Sequence, residues 1–143
     1  MGHEPDKCRD IFVPWLRSEG AVVTVSDTLE SYVKLDQKNE VDLIIQAWTM
    51  GQIEGEQEKA LLEAVSSGTG IAGWHGGLCD SFRNNTEYQF MTGGQWVAHP
   101  GNDGVEYGVR ITSDDPLVAG VGDFTVKTDV VQTFFFSHLF TCI

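Results

Sequence analysis

The stretch Gly70-Ile71-Ala72-Gly73-Trp74-His75-Gly76-Gly77 decides how this chain is read. Gly70 to Gly73 reads as a short buried strand that enters a tight glycine-rich turn with one imidazole at its tip. Glycines 73, 76 and 77 allow positive φ and let a ligand or a neighbouring chain come close. A reactive side chain on a strand-to-helix turn is the logic of a nucleophile elbow, G-x-Ser-x-G. In Gly73-Trp74-His75-Gly76-Gly77 a histidine stands where a Ser or Cys nucleophile would be. A plain glycine-rich turn, with His75 hydrogen-bonded to a backbone carbonyl, accounts for the same residues.

The neighbouring segments place this turn in an α/β frame. Val41 to Ala47 carries Leu43, Ile44 and Ile45, an apolar run expected of a strand buried on both faces. Glu54 to Ser67 reads as a helix, acidic at its start and closed by Gly68. Further upstream, a helix is expected from about Asp6 to Ser18, with Pro5 at its first position, Pro14 as a blemish and Gly20 as its terminator. The β-branched run Ala21 to Val25 reads as another strand. Residues 27 to 40 read as loop with a short helical turn. Downstream, Ser81 to Phe90 reads as short helix or loop, and Gln95 to Pro100 as an extended segment. Val105 to Thr112 alternates like a half-exposed strand, and Phe124 to Lys127 reads as a further strand.

This alternation predicts a parallel sheet of at least three strands, 21–25, 41–47 and 70–74, with the 54–67 helix on one face. Ligands in such sheets sit beyond the carboxyl ends of the strands. Trp48, His75 and His99 each follow a strand end, which groups them.

Composition narrows the function classes. The 143 residues suffice for one domain with a core, and 41% hydrophobic with 21% charged residues is ordinary for a globular protein. Nine Lys+Arg against 21 Asp+Glu give a formal charge of −12, which disfavours nucleic acid and anionic membrane surfaces as partners. Cys8, Cys79 and Cys142 are widely spaced and form no CxxC knuckle. They read as thiols of a reducing compartment, and with a polar N-terminus they give a cytoplasmic expectation.

With these residues in view, the chain resembles the ThuA-like (trehalose utilisation) family. The resemblance is carried by Gly2-His3-Glu4-Pro5, by Trp48-Thr49-Met50-Gly51 and by the His75 turn. Glu87-Tyr88-Gln89-Phe90 with Gly93-Gly94-Gln95-Trp96, and Val97-Ala98-His99-Pro100-Gly101, carry it further. Pro116 to Gly120 and Asp123-Phe124 also fit, so it covers about residues 2 to 128. It implies a flavodoxin-like parallel sheet, related to class I glutamine amidotransferases, and a role in carbohydrate catabolism acting on trehalose or a related glycoside. Such proteins carry a first strand before the Gly-His-Glu-Pro motif. The expectation is therefore an incomplete ThuA-like domain over 1–128, followed by an aberrant apolar tail over 129–143. Without that strand, segments 41–47 and 70–74 are expected to lack a hydrogen-bonded neighbour, and the chain to express poorly or aggregate.

Three chemical readings of the candidate residues stay open. Glutamine hydrolysis needs a thiolate at the elbow, and Cys79 lies four residues past His75, so amidotransferase activity is not expected. Metal-assisted or acid–base chemistry on a sugar would use His75 and Glu4 as catalytic groups. His3, His75 and His99, or two of them with Glu4, match the stoichiometry of a catalytic zinc ion. Sugar binding without turnover would use the flat faces of Trp48, Trp74 and Trp96, with Glu87, Tyr88 and Gln95 as hydroxyl partners. In the third reading these residues are structural, Glu87 and Tyr88 capping and packing a short helix and Arg83 being a surface charge. The expected partner is a small-molecule sugar, with a homo-oligomer possible in either functional case. The topology predicts that His3 and His75 face one cleft, with Trp48 and His99 lining it.

Overall fold

The structure is a computed structural model that describes residues 4–35, 41–101 and 104–128, and the backbone of 132–135. His3 and most of the 129–143 tail therefore lie outside the described residues. The chain divides into two units, residues 1–96 with 134–143 and residues 97–133. Among the described residues no helix is long and apolar enough to cross a membrane.

In the first unit, helix α1 spans Pro5–Ser18 and contains Pro14. Pro5 occupies its first turn, where a missing N–H costs nothing. Gly20, at φ 90°, closes it: Gly20 N–H bonds Arg17 O and Ala21 N–H bonds Leu16 O. This double bond pattern is a Schellman closure, which needs a left-handed residue. A short helix α2 spans Glu30–Val33, and strand β1 spans Leu43–Gln46. Helix α3 covers Gly55–Ser66, and strand β2 covers Gly70–Gly73. Helix α4 spans Thr86–Thr92 and is capped by the Asn85 side chain, which accepts from Tyr88 N–H. Strand β3 follows at Gly94–Ala98.

The β1–α3–β2 crossover makes a parallel pair, with Leu43 beside Gly70 and Gln46 beside Gly73. Segments 41–47 and 70–74 thus have a hydrogen-bonded neighbour in each other, contrary to the expectation that they would lack one. Among the described residues the sheet holds two strands rather than the three expected. Residues 21–25 form no strand, and Val22 is fully exposed. A β-branched run becomes a strand only where another strand completes its ladder, and none of the described strands pairs with it. Leu43 is 47% exposed and β2 alternates exposed and half-buried residues, so neither strand is buried on both faces.

The core lies where α2, α3 and α4 meet the sheet. Leu29, Tyr32, Leu61, Phe82 and Tyr88 are buried, with Ile44, Trp48, Ile53 and Ile71 packed against them. Gln57 Nε2 donates to Glu30 Oε1, tying α3 to α2, and Asn85 Nδ2 donates to Glu58, tying α4 to α3. Phe82 and Tyr88 meet edge to face with centroids 4.8 Å apart.

A buried polar hub sits inside this apolar shell. Gln46, only 4% exposed, accepts from the Tyr32 hydroxyl at 2.6 Å. Its Nε2 donates to Ser81 Oγ at 2.7 Å and to the Tyr88 hydroxyl oxygen at 2.6 Å. Tyr88 donates in turn to Leu78 O, and Ser81 Oγ lies 2.6 Å from Trp48 O.

In the second unit, strands β4 (Val105–Val109) and β5 (Phe124–Thr128) pair antiparallel, Val105 beside Thr128 and Val109 beside Phe124. β4 alternates half-buried and exposed residues, as its sequence alternation predicts. Asp123 reaches back to accept from Ile111 N–H, which closes the connecting loop. The division between the units runs through β3 and through strand β6 (Gln132–Phe135), which pair with each other.

Two outcomes follow from the hub. Gln46→Leu strands the buried Tyr32 hydroxyl, so urea denaturation should show a loss of about 1–3 kcal/mol. Adding Tyr32→Phe removes the stranded group and should recover part of that loss. Burial keeps both tyrosines neutral, pushing Tyr88 up to about 12 and Tyr32 further up. A raised folded pKa means that the stability is fully present below the unfolded value and is lost as the unfolded chain ionises. Stability should therefore fall from about pH 10 upward, by up to about 1.4 kcal/mol per pH unit for each tyrosine. A urea midpoint series across that range, with Tyr88→Phe showing a shallower fall, checks it.

Candidate functional site

The turn after β2 is built by close approach. A Cβ on Gly73 would lie 2.7 Å from Gln46 O and 2.8 Å from Leu78 Cβ. A Cβ on Gly77 would lie 3.2 Å from Ala47 Cα. These glycines let the turn press against the end of β1, and neither they nor Gly76 takes positive φ. The left-handed residue is His75 itself, at φ 51°. Trp74 precedes it in extended conformation, and a 3-10 turn runs from His75 to Gly77. The His75 carbonyl accepts from Cys79 N–H at 3.0 Å, which closes the turn. The turn thus carries its left-handed backbone at His75 rather than at a glycine, at a cost of about 1–2 kcal/mol.

Three backbone hydrogen bonds lay the loop after β1 along this turn. Trp48 N–H donates to Gly77 O, Met50 N–H to Asp80 O and Gly51 N–H to Ser81 O, at 2.8–2.9 Å. Trp48 and Trp74 therefore both flank the elbow. Trp48 is half-buried, and its indole occupies the space that a side chain on residue 51 would fill. Trp74 stacks on Phe12 of α1, centroids 4.6 Å apart, which fastens α1 to the turn. Glu4 caps that helix in a left-handed conformation at φ 39°, exposed and ion-paired with Lys7.

The remaining predicted residues separate. Tyr88 is 2% exposed and belongs to the core hub. Glu87 is exposed in the first turn of α4, and Gln95 is exposed on β3. Trp96 is half-buried under the Arg83 guanidinium, 3.8 Å from the ring centroid. His99 is half-buried in the second unit, and His3 lies outside the described residues. Among the described residues no group of three or more His, Cys, Asp or Glu is placed to hold a metal ion.

Cys79 is not poised as a nucleophile. Burial first, and then the neighbouring Asp80 charge, push its thiol up from its usual value, which lowers the thiolate fraction that attack requires.

The sequence reading did not single out Asp80, Gln46 or Ser81. Asp80 is 3% exposed and binds Arg83 through two contacts, Nε to Oδ1 and Nη2 to Oδ2. Arg83, a surface charge in the structural reading of the sequence, is therefore held between a carboxylate and an indole face. The Asp80-x-x-Arg83 spacing, i to i+3 just past a glycine-rich turn, was a usable signal for this pair.

Replacing His75 separates strain from chemistry. His75→Gly should leave stability unchanged within about 1 kcal/mol, since relief of strain offsets the added freedom of the unfolded chain. His75→Val, which disfavours left-handed backbone, should cost about 1–2 kcal/mol or more. Thermal and urea melts of both variants check the conformation.

No curated protein and no solved structure matches the chain. The family model described as trehalose utilisation matches residues 1–137, nearly the whole chain and every loop that builds this elbow. A mixed α/β protein with a strained histidine elbow, flanked by the Trp48 and Trp74 loops, this chain belongs to the ThuA trehalose-utilisation family.

Proposed function

We propose that the chain acts in carbohydrate catabolism by presenting His75 to trehalose or a related glycoside. The observation that carries this reading is the left-handed His75, at the turn beyond the carboxyl end of a parallel strand. Strained non-glycine residues concentrate at functional sites. That edge is where open α/β sheets receive ligands, which also supports reading β1–α3–β2 as part of a flavodoxin-like, class I glutamine amidotransferase-like sheet. The imidazole of His75 would accept a proton from a sugar hydroxyl or return one to it. Trp48 and Trp74 would border the ring, and Glu4 would serve as the second proton-transfer group. The cysteine spacing supports a cytoplasmic location.

Sugar binding without turnover is the second reading. It is favoured by Cys79, whose raised thiol leaves His75 without an activated nucleophile beside it. The zinc expectation for His3, His75 and His99 is tested directly.

The experiment is a melt of the whole chain against trehalose and glucose, with product formation followed by NMR. Catalysis predicts product from wild type and none from His75→Ala, with the variant melting within a few degrees of wild type. A binding module predicts stabilisation growing as RT ln(1 + [L]/Kd), about 2.7 kcal/mol at a hundredfold excess over Kd, with no product. Turnover lost on chelation and restored by zinc would show a metal requirement, and zinc binding weakened in His75→Ala and His99→Ala would assign those histidines as ligands. The absence of both stabilisation and product with either sugar overturns the proposal.

A further inference from the structure

Strand β4 of the second unit carries a glycine in its interior, Gly108. A glycine there weakens a strand, and it marks a bulge or bend, or a place where another backbone or a ligand comes close. The β4–β5 ladder pairs every residue from Val105–Thr128 to Val109–Phe124, so no bulge calls for glycine. Gly108 does not take positive φ, so no backbone angle calls for it. A Cβ built on Gly108 would meet nothing within 4 Å among the described residues, so no neighbouring chain segment needs the space. The space is an open cavity of about 300 Å³ lined by Gly108, Val109, Arg110, Asp123, Phe124 and Thr125.

The chemistry around that space selects a ligand class. Residues two apart share a strand face, so Gly108 lies between Glu106 and Arg110. Across the ladder Thr125 is opposite Gly108 and Lys127 is opposite Glu106, and the same register sets Asp123 opposite Arg110. All five of these polar residues are exposed. The notch over Gly108 is therefore bounded at each end by one acid and one base, Glu106 with Lys127 and Arg110 with Asp123. Asp123 accepts from Ile111 N–H through Oδ1, which fixes its carboxylate at this rim. An anion would meet a carboxylate at either end, and a cation a basic group. A neutral ligand rich in hydroxyls finds donors and acceptors at both. The volume stands at the bottom of the range of about 300–1,000 Å³ for small-molecule pockets, which suits one sugar ring rather than two.

We infer that the Gly108 notch is a binding site for a neutral monosaccharide, its ring lying over Gly108 and its hydroxyls held by Arg110, Asp123 and Thr125. The site lies within the second unit, and its argument is independent of the His75 reading.

The test titrates the whole chain with glucose, gluconate and glucosamine and follows backbone amide shifts by NMR. Glucose should shift the Gly108 and Thr125 amides, with the charged analogues binding about threefold more weakly or less. Gly108→Val fills the notch with a strand-forming residue, so the melting temperature should hold or rise while glucose affinity at this site falls about tenfold or more. Glucose shifts that survive unchanged in Gly108→Val overturn the inference. Gluconate or glucosamine binding as tightly as glucose overturns the neutral-ligand assignment and the inference with it. Absence of a glucose shift at Gly108 and Thr125 overturns the inference, and shifts confined to the His75 turn would do so while leaving the His75 reading standing. Shifts at Gly108 with none at the His75 turn support the inference and count against that reading.

Discussion

The hydrogen bonds of Gln46 hold the first unit in register. Gln46 is the last residue of β1, and its amide reaches α2 through Tyr32, the elbow loop through Ser81 and α4 through Tyr88. Four segments distant in sequence meet at one side chain from which water is largely excluded. An amide suits this place because it both accepts and donates, so one group satisfies partners of either kind. Buried polar networks are costly when incomplete and specifying when complete. Apolar packing around Leu61 and Phe82 gathers the helices against the sheet without naming a unique arrangement. The hub discriminates, because a slipped register would strand several polar groups at once.

The site inherits its geometry from that hub. Ser81 ties the elbow loop to Trp48, Gly73 and Gly77 press the turn against the end of β1, and the backbone bonds of Trp48, Met50 and Gly51 complete the seam. With both sides anchored, the turn can hold His75 and Met50 in left-handed conformations that neither residue favours. Stability made in the core is in this sense expended at the edge of the sheet, at the His75 turn. The Asp80–Arg83–Trp96 arrangement extends the same order toward β3, since the carboxylate and the indole fix the guanidinium on two sides.

Local signals in the sequence determined helices α1 and α3, their ends and the two parallel strands. Gly20 and Gly68 follow their helices by residue chemistry alone, because only glycine enters left-handed backbone at little cost. The apolar runs 43–45 and 70–72 and the helix between them announced a crossover. The histidine elbow was legible as a spacing of glycines around one imidazole, although the glycines proved to serve contact and His75 itself took the strained angle.

Tertiary structure decided the rest, since each missed feature depends on a distant partner. Ala21 to Val25 has strand propensity, but a strand exists only with a neighbour to bond, and propensity carries no information about neighbours. Tyr88 looked like a sugar contact because its hydroxyl is polar; Gln46 and Leu78, 42 and 10 residues away, make it a core residue. Gln46 ends an apolar run and resembles a surface residue until Tyr32, Ser81 and Tyr88 surround it. Met50 carries no signature at all, because a backbone angle imposed by Asp80 across the loop is a property of the assembled chain and of no residue in it.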